Sequence, residues 1–523
     1  SAMRKRLKME RNRKGFFAHV TQDDDIRESI IMVASIKECT KRKDLHKGSR
    51  IHADIVKLGL LEKDIHIGTS IVNMYAKCGA LMKAREVFDR LRCRNLVAWN
   101  VLISGYAEHG YGQEALSCAK MMRNDGFSPN QVTFLCILKA CGSIRAIDKG
   151  REIHCEIIKE GVLMKDVLIG TALIDMYVKC GMIQKAQEVF DELPSRNVVS
   201  WTALIGGYSQ QGHGENAINL FEQMKHEGLS PNPVTLLCIL KACTSTGAVD
   251  MGEDIHREIV KKGDLLDKNL FIGNALVDMY SKCDAIKKAQ EVFDMLIIRD
   301  TVSWNALLAG YGKNGQDEEA LNGFQHMQQQ GVLPDGVTFV FTLKVCGNMG
   351  EMMRGQEMHA EIAGEESLRT NAMVGNALVD MYAKCNALTM ATEVFDQLPR
   401  RSVISWNTLI AAYTQHGDDQ EALRLFFRMQ DVGFSPDSIT YACILKACGN
   451  LGVAEKCEEI HAKVVREGIL QKHVLLANSL VDMYAKSGAL PKAQDVFDEI
   501  PVRDTVSWTL LIAGYAEHGC VEE

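Results

Sequence analysis

All five tryptophans of the chain fall on one ruler: Trp99, Trp201, Trp304, Trp406 and Trp508 stand 102, 103, 102 and 102 residues apart. Cys39, Cys141, Cys243, Cys346 and Cys448 stand 102, 102, 103 and 102 residues apart, in the segments IKEC, LKAC, LKAC, LKVC and LKAC. Recurrence of this kind is the mark of a repeat array. At 523 residues the chain also exceeds what one ordinary hydrophobic core supports. A period near 102 residues is too long for a single solenoid unit, so each period must contain smaller ones.

Three helical hairpins of similar build divide the period. The first opens on VVSWTAL-like text, the second on VTFLCILKAC-like text and the third on IGNALVDMYAKC-like text, with lengths near 35, 36 and 31 residues. In Val167–Asn197, Ile169, Leu173, Ile174 and Tyr177 make one apolar stripe at helical spacing. After Cys180-Gly181, Ile183, Ala186, Val189, Phe190 and Leu193 make another. Gly181 supplies the permissive backbone between the two helices. Each hairpin has apolar faces it can bury only on its neighbours. The expected fold is therefore all-α, a right-handed α-solenoid superhelix of stacked helix-turn-helix hairpins whose first helices line a long concave surface.

Composition agrees. Hydrophobic residues make up 46% and charged residues 24%, as in folded proteins, and nine prolines leave room for helix. No apolar run reaches the length of a membrane span, so none is predicted. The 17 cysteines recur in apolar helical patterns with no secretory signal at the start, and read as reduced core residues. A net charge of −7 weighs against nucleic-acid binding by bulk charge alone.

These motifs resemble the pentatricopeptide repeat family, in the class that alternates P-, L- and S-type motifs. The endings FSPN, LSPN, LPD and FSPD and the segments LPSRN, LPRRS and IPVRD add to the likeness, which covers Ser29–Glu523. A tetratricopeptide array would show a uniform 34-residue period, which is absent. The register is L-type Ser29–Asp64 and S-type Ile65–Asn95, followed by four P-L-S rounds. Their P-type motifs begin at Leu96, Val198, Thr301 and Val403, their L-type motifs at Gln131, Pro233, Gly336 and Ser438, and their S-type motifs at Val167, Leu270, Ala372 and Val474, ending at Asp504. A further P-type motif starts at Thr505 and is incomplete, which reads as a truncation. Residues 1–28 read as a leader: Ser1-Ala2-Met3 resembles a tag scar, and the basic run Arg4–Lys14 reads as solvated, with RNA phosphate contact and a targeting remnant as alternatives.

The resemblance implies binding of single-stranded RNA, about one base per motif, the fifth and last residues selecting the base and the second flanking it. The implied selectors are Thr69 with Asn95, Asn100 with Asn130, Thr171 with Asn197, Thr202 with Asn232, Asn274 with Asp300, Asn305 with Asp335, Asn376 with Ser402, Asn407 with Asp437 and Asn478 with Asp504. Val97, Val199, Val302 and Ile404 are the implied flanking residues, though ordinary helix-start core residues would look the same. Asn and Asp before a helix are also good N-caps, which accounts for the last position but not for Asn or Thr one turn inside the following helix. An Asp suits the N3–H of uracil, and a neutral amide suits the ring acceptors of cytosine and adenine. The family's pairing rules then give A-C-n-A-A-n-U-U-n-Y-U-n-U, 5′ to 3′ from Ile65. The open letters fall at L-type motifs, whose fifth residues Leu135, Leu237, Val340 and Ala442 (and Val33 before them) are apolar.

Lys77, Lys179, Lys282, Lys384 and Lys486 recur at the thirteenth position of every S-type motif. There they favour the helix C-terminus, and along a bound strand they would form a ladder of phosphate contacts, with the acidic residues expected mostly on second helices. Family members often carry a cytidine deaminase-like domain, which needs His-x-Glu and Cys-x-x-Cys for its zinc and proton shuttle. His154, His256 and His359 fit the first half but recur at one helix position with His52 and His461, and no Cys-x-x-Cys exists in the chain. The chain is therefore expected to be a non-catalytic monomer without metal or cofactor. The implied role is to specify a site for C-to-U editing in a plant mitochondrion or chloroplast, with editing-complex proteins or a deaminase acting in trans. A protein-binding helical scaffold is the alternative.

Overall fold

The computed structural model describes residues 31–59, 61, 64–161, 166–261, 263, 266, 269–452, 454–466, 474–500 and 503–519. The leader 1–28 lies outside them. Every regular element among the described residues is an α-helix, from a first helix over 31–42 to the last at Thr505–Glu517. Two units divide the chain, Ser1–Met251 and Gly252–Glu523, and each is a stack of helical hairpins.

The motif register predicts the element boundaries. In the round that starts at Leu96, the P-type motif is Leu96–Glu108 and Gly112–Asn124, the L-type Gln131–Ser143 and Ile147–Lys159, and the S-type Val167–Lys179 and Ile183–Glu192. The Asn, Asp or Ser that ends one motif is the N-cap of the next first helix. Asn197, for example, accepts from the backbone N–H groups of Val199 and Ser200, while its own N–H donates to the Ser200 hydroxyl, a reciprocal capping box. Gly181 takes φ +79°, as expected between two helices. Asp284 and Asn386 occupy the same column at φ +60° and +61°, conformations that short polar side chains tolerate best.

Within each unit a first helix packs on its own second helix and on the next first helix. The apolar stripes of Val167–Asn197 are buried as predicted. Distinct seams join the motif types. S meets P where Phe88, Phe190, Phe293 and Phe395 receive Trp99, Trp201, Trp304 and Trp406 edge-on, with centroids 4.5–4.7 Å apart. A guanidinium also stacks over each phenyl ring: Arg94, Arg196, Arg299 and Arg401 lie 4.8–5.2 Å from the ring centroids. L meets S where His52, His154, His256, His359 and His461 bring Nδ1 to 2.8–3.1 Å from the hydroxyls of Tyr75, Tyr177, Tyr280, Tyr382 and Tyr484.

Candidate nucleic-acid interface

The fifth residue of a motif begins the second turn of its first helix, and the last residue caps the neighbouring first helix. In five motifs the two side chains meet. Nδ2 of Asn100 donates to Oδ1 of Asn130 at 3.0 Å. Asn274 donates likewise to Asp300, Asn305 to Asp335, Asn407 to Asp437 and Asn478 to Asp504, at 2.9–3.2 Å. A carboxylate only accepts, so the amide orientation is fixed in the four Asn–Asp pairs. The amide oxygen then takes a hydroxyl from the third residue of the next motif: Thr133, Ser303, Thr338, Thr440 and Ser507 donate to Asn100, Asn274, Asn305, Asn407 and Asn478 at 2.6–2.7 Å. These asparagines thus bridge a helix to its neighbour's N-cap, which answers why a mediocre helix former sits there. The bridge was missed from sequence, although Ser or Thr at the third position of the following motif signals it.

All these bonds to Asp300, Asp335, Asp437 and Asp504 converge on Oδ1, and Oδ2 takes part in none of them. Burial pushes the carboxyls of Asp300, Asp335 and Asp437 up, but the donors around them outweigh it and hold all three below the ordinary value. At Asp504, hydrogen bonds from the Ser507 backbone and hydroxyl lead the same downward shift. All four are acceptor-only anions near neutrality.

The other pairs of fifth and last residues are arranged differently. Thr69, Thr171 and Thr202 each donate their hydroxyl to the carbonyl four residues earlier, at 2.6–2.8 Å. None is bonded to its partner Asn95, Asn197 or Asn232; these three cap helices instead, and Thr202 meets Thr235 at 2.6 Å. Ser402 is too short to reach Asn376. It turns to Ser405, and Oδ1 of Asn376 is left buried without a partner.

The residues at the second position of the P-type motifs are not core residues. Val97, Val199, Val302 and Ile404 are 54–66% exposed at the starts of their helices. The same column is exposed and apolar in L- and S-type motifs, at Val132, Val234, Val337, Ile439, Leu168, Phe271, Met373 and Leu475. Sequence reading picked out only the P-type members. A slot of about 300 Å³ brings the parts together, with Val97, Val132, Asn100, Asn130 and Lys77 in its lining. A larger groove of about 700 Å³ runs along Gln131–Ser143, Val167–Lys179, Val198–Gln210 and Pro233–Thr246. Every residue that lines it belongs to a first helix: fifth residues Leu135, Thr171, Thr202 and Leu237, second residues Leu168, Val199 and Val234, and Lys179 and Lys241 among them.

Lys77 lines the slot and Lys179 the groove, but every S-type lysine has a carboxylate. Lys179, Lys282, Lys384 and Lys486 pair with Asp175, Asp278, Asp380 and Asp482 one turn earlier, at 2.6–2.9 Å, and Lys77 pairs with Glu108 at 2.6 Å. Most acids on the described helices do stand on second helices, but these five carboxylates stand on first helices. The lysine stems are packed too: a Cβ on Gly142 or Gly347 would come within 3.2 Å of Lys179 or Lys384 Cδ.

The His-x-Glu candidates are structural. Burial lowers the pKa of His154, His256 and His359, as it does for His52 and His461, and each meets its tyrosine. No group of three or more potential metal ligands occurs among the described residues.

The PPR repeat family profile matches residues 94–143, 196–245, 299–348 and 401–450, and the PPR repeat profile matches 69–96, 171–198, 274–300, 376–403, 476–504 and 506–523. A chloroplastic pentatricopeptide repeat-containing protein of Arabidopsis thaliana is 37% identical over 82% of this chain and 68% of its own length. A second chloroplastic one is 34% identical over 94% and 60%, and a mitochondrial one 32% identical over 94% and 70%. The chain thus spans about 60–70% of the length of these relatives. Among solved structures, maize PPR10 superposes with a TM-score of 0.60 at 18% identity, over 94% of this chain and 82% of PPR10. PPR10 in complex with an 18-nt psaJ RNA element gives 0.59 at 17% identity, over 87% and 77%.

Proposed function

The chain belongs to the pentatricopeptide repeat family, and we propose that it binds one single-stranded RNA sequence at about one base per motif. The slot at Asn100 carries this reading. Two exposed valines one motif apart, Val97 and Val132, flank the paired polar groups of Asn100 and Asn130. A base held between the valines would present its edge to those groups.

The pairs differ in the chemistry they offer. Asp300, Asp335, Asp437 and Asp504 spend Oδ1 on the fold and keep Oδ2 for a donor, which the N3–H of uracil supplies. Thr171 and Thr202 spend their hydroxyl protons within their own helices and so present a lone pair, which suits the amino group of adenine. The proposed site remains A-C-n-A-A-n-U-U-n-Y-U-n-U. The motif order is that of the P-L-S class, and the role that fits it is to mark a site for C-to-U editing by a deaminase acting in trans. The protein works as a monomer in a chloroplast or a mitochondrion, the two compartments named for its relatives. PPR10, whose fold this chain resembles, is known bound to RNA.

A protein-binding scaffold is the competing reading. One observation favours it: the asparagine bridges serve the fold without any RNA. A gel-shift titration at fixed salt, with the 13-base site against its shuffled version, separates the two. Selective binding supports the proposal and the register together. Equal binding to both keeps RNA binding and discards the base assignments, and binding to neither leaves the scaffold.

A further inference from the structure

We propose that the lysines at the ninth position of the L-type motifs, Lys139, Lys241, Lys344 and Lys446, are the main contacts for RNA phosphates, ahead of the S-type lysines. This rests on the RNA-binding reading. Four first helices carry these residues: Gln131–Ser143, Pro233–Thr246, Gly336–Met349 and Ser438–Leu451. Each of these helices has one charged side chain, and it is the lysine. The positions three and four residues away hold only apolar or neutral side chains, such as Leu135, Cys136, Gly142 and Ser143 around Lys139, so no ion pair can form along the helix.

All four lysines are exposed, and none makes an ion pair among the described residues. Their placement is the groove. Lys241 lines it in the first unit together with Val199 and Thr202. Lys139 stands on Gln131–Ser143, the helix whose Val132 lines the slot that contains Asn100. Lys344 and Lys446 hold the same motif position on equivalent helices of the second unit.

The contrast with the S-type column is chemical. A lysine already paired with Asp175 or Asp278 brings no net charge to a phosphate, and turning to one leaves the aspartate behind. An unpaired lysine that neutralises a phosphate releases a counterion condensed on the RNA, and that release favours binding. The motifs whose apolar fifth residues cannot read a base would then grip the backbone, once per round, between the motifs that read.

The test is the salt dependence of binding by the full chain, followed by fluorescence anisotropy with the 13-base RNA across a series of KCl concentrations. One variant carries K139Q, K241Q, K344Q and K446Q. A second neutralises both members of the four Asp–Lys pairs of the S-type motifs, with Asp→Asn at 175, 278, 380 and 482 and Lys→Gln at 179, 282, 384 and 486. The first should flatten the plot of log K against log salt by about 3, since each phosphate contact on a single strand contributes about 0.7. Its preference over shuffled RNA should persist, and Lys→Arg at the same four positions should restore the parent slope. The second variant should change the slope by less than about 1. An unchanged slope in the first variant, or a larger fall in the second, overturns the proposal while leaving RNA binding intact. A parent chain that binds no RNA at low salt overturns both. Circular dichroism and melting curves establish that each variant is folded.

Discussion

Asn305 and Asp335 are 30 residues apart in sequence, yet Nδ2 of the first donates to Oδ1 of the second at 3.0 Å, across the face between two first helices. The contact makes the pair one unit, held from behind by the Thr338 hydroxyl on Asn305 at 2.7 Å. On the proposed reading, changing the base preference of this motif means changing both residues.

Asn305→Thr with Asp335→Asn should turn the preference at the eighth base from U to A. Competition between 13-base RNAs that differ only there should show a reversal of about tenfold or more, since a base contact is worth roughly 1–3 kcal/mol. An unchanged preference rejects the motif register.

Asn376 and Ser402 form the one Asn-led pair without a bridge, and the amide oxygen of Asn376 has no partner. Ser402→Asp rebuilds the arrangement of Asn274 with Asp300. It should move the tenth base from either pyrimidine to U and stabilise the S-type motif by about 1 kcal/mol. Binding to U- and C-containing RNAs and a urea titration measure the two effects.

The pH response should separate reading from folding. Asp300, Asp335 and Asp437 have lowered pKa values, so their contribution is complete above the ordinary carboxylate value near 3.9 and is lost only as pH falls through the lowered ones. Preference for U should accordingly hold from pH 8 to pH 5. The buried histidines have values lowered from about 6.5, so their contribution is complete above 6.5 and is lost as pH falls below it. Melting temperature should drop between pH 7.5 and 5.5, and His154→Gln should shrink that drop; an equal drop in the variant counts against this origin.

Arg145 sits at φ +54° in a column where Gly247, Gly350 and Gly452 hold φ between +65° and +72°. Arginine lacks the short polar side chain that eases the left-handed region for Asn or Asp. Arg145→Gly should stabilise the L-type motif by about 0.5–1 kcal/mol, read as slower hydrogen exchange across Gln131–Lys159. Faster exchange would mean that the arginine side chain offsets its own strain.

Much of this was legible in advance because a repeat shows each position several times. The buried faces of Val167–Asn197, the left-handed Gly181 and the capping residues all follow from local patterns that recur. What stayed hidden depends on distances between motifs. Nothing local to Asn100 shows that Asn130 and Thr133 will close on it. The carboxylates that occupy the S-type lysines were visible four residues upstream, yet a column of like charges draws attention away from its neutralising column. The constant 23 or 24 residues from each histidine to its tyrosine was legible too, but only the structure shows them meeting.

The seams between hairpins bear on how such a chain lengthens. A tryptophan of a P-type motif needs the phenylalanine of an S-type motif before it, and a histidine of an L-type motif needs the tyrosine of an S-type motif after it. A single inserted hairpin would face a stranger on at least one side, whereas a copied block of three presents the same edges it replaces. Duplication in threes is thus the growth step that leaves every junction satisfied, and a designer who shortens or extends the array should cut at the same joints.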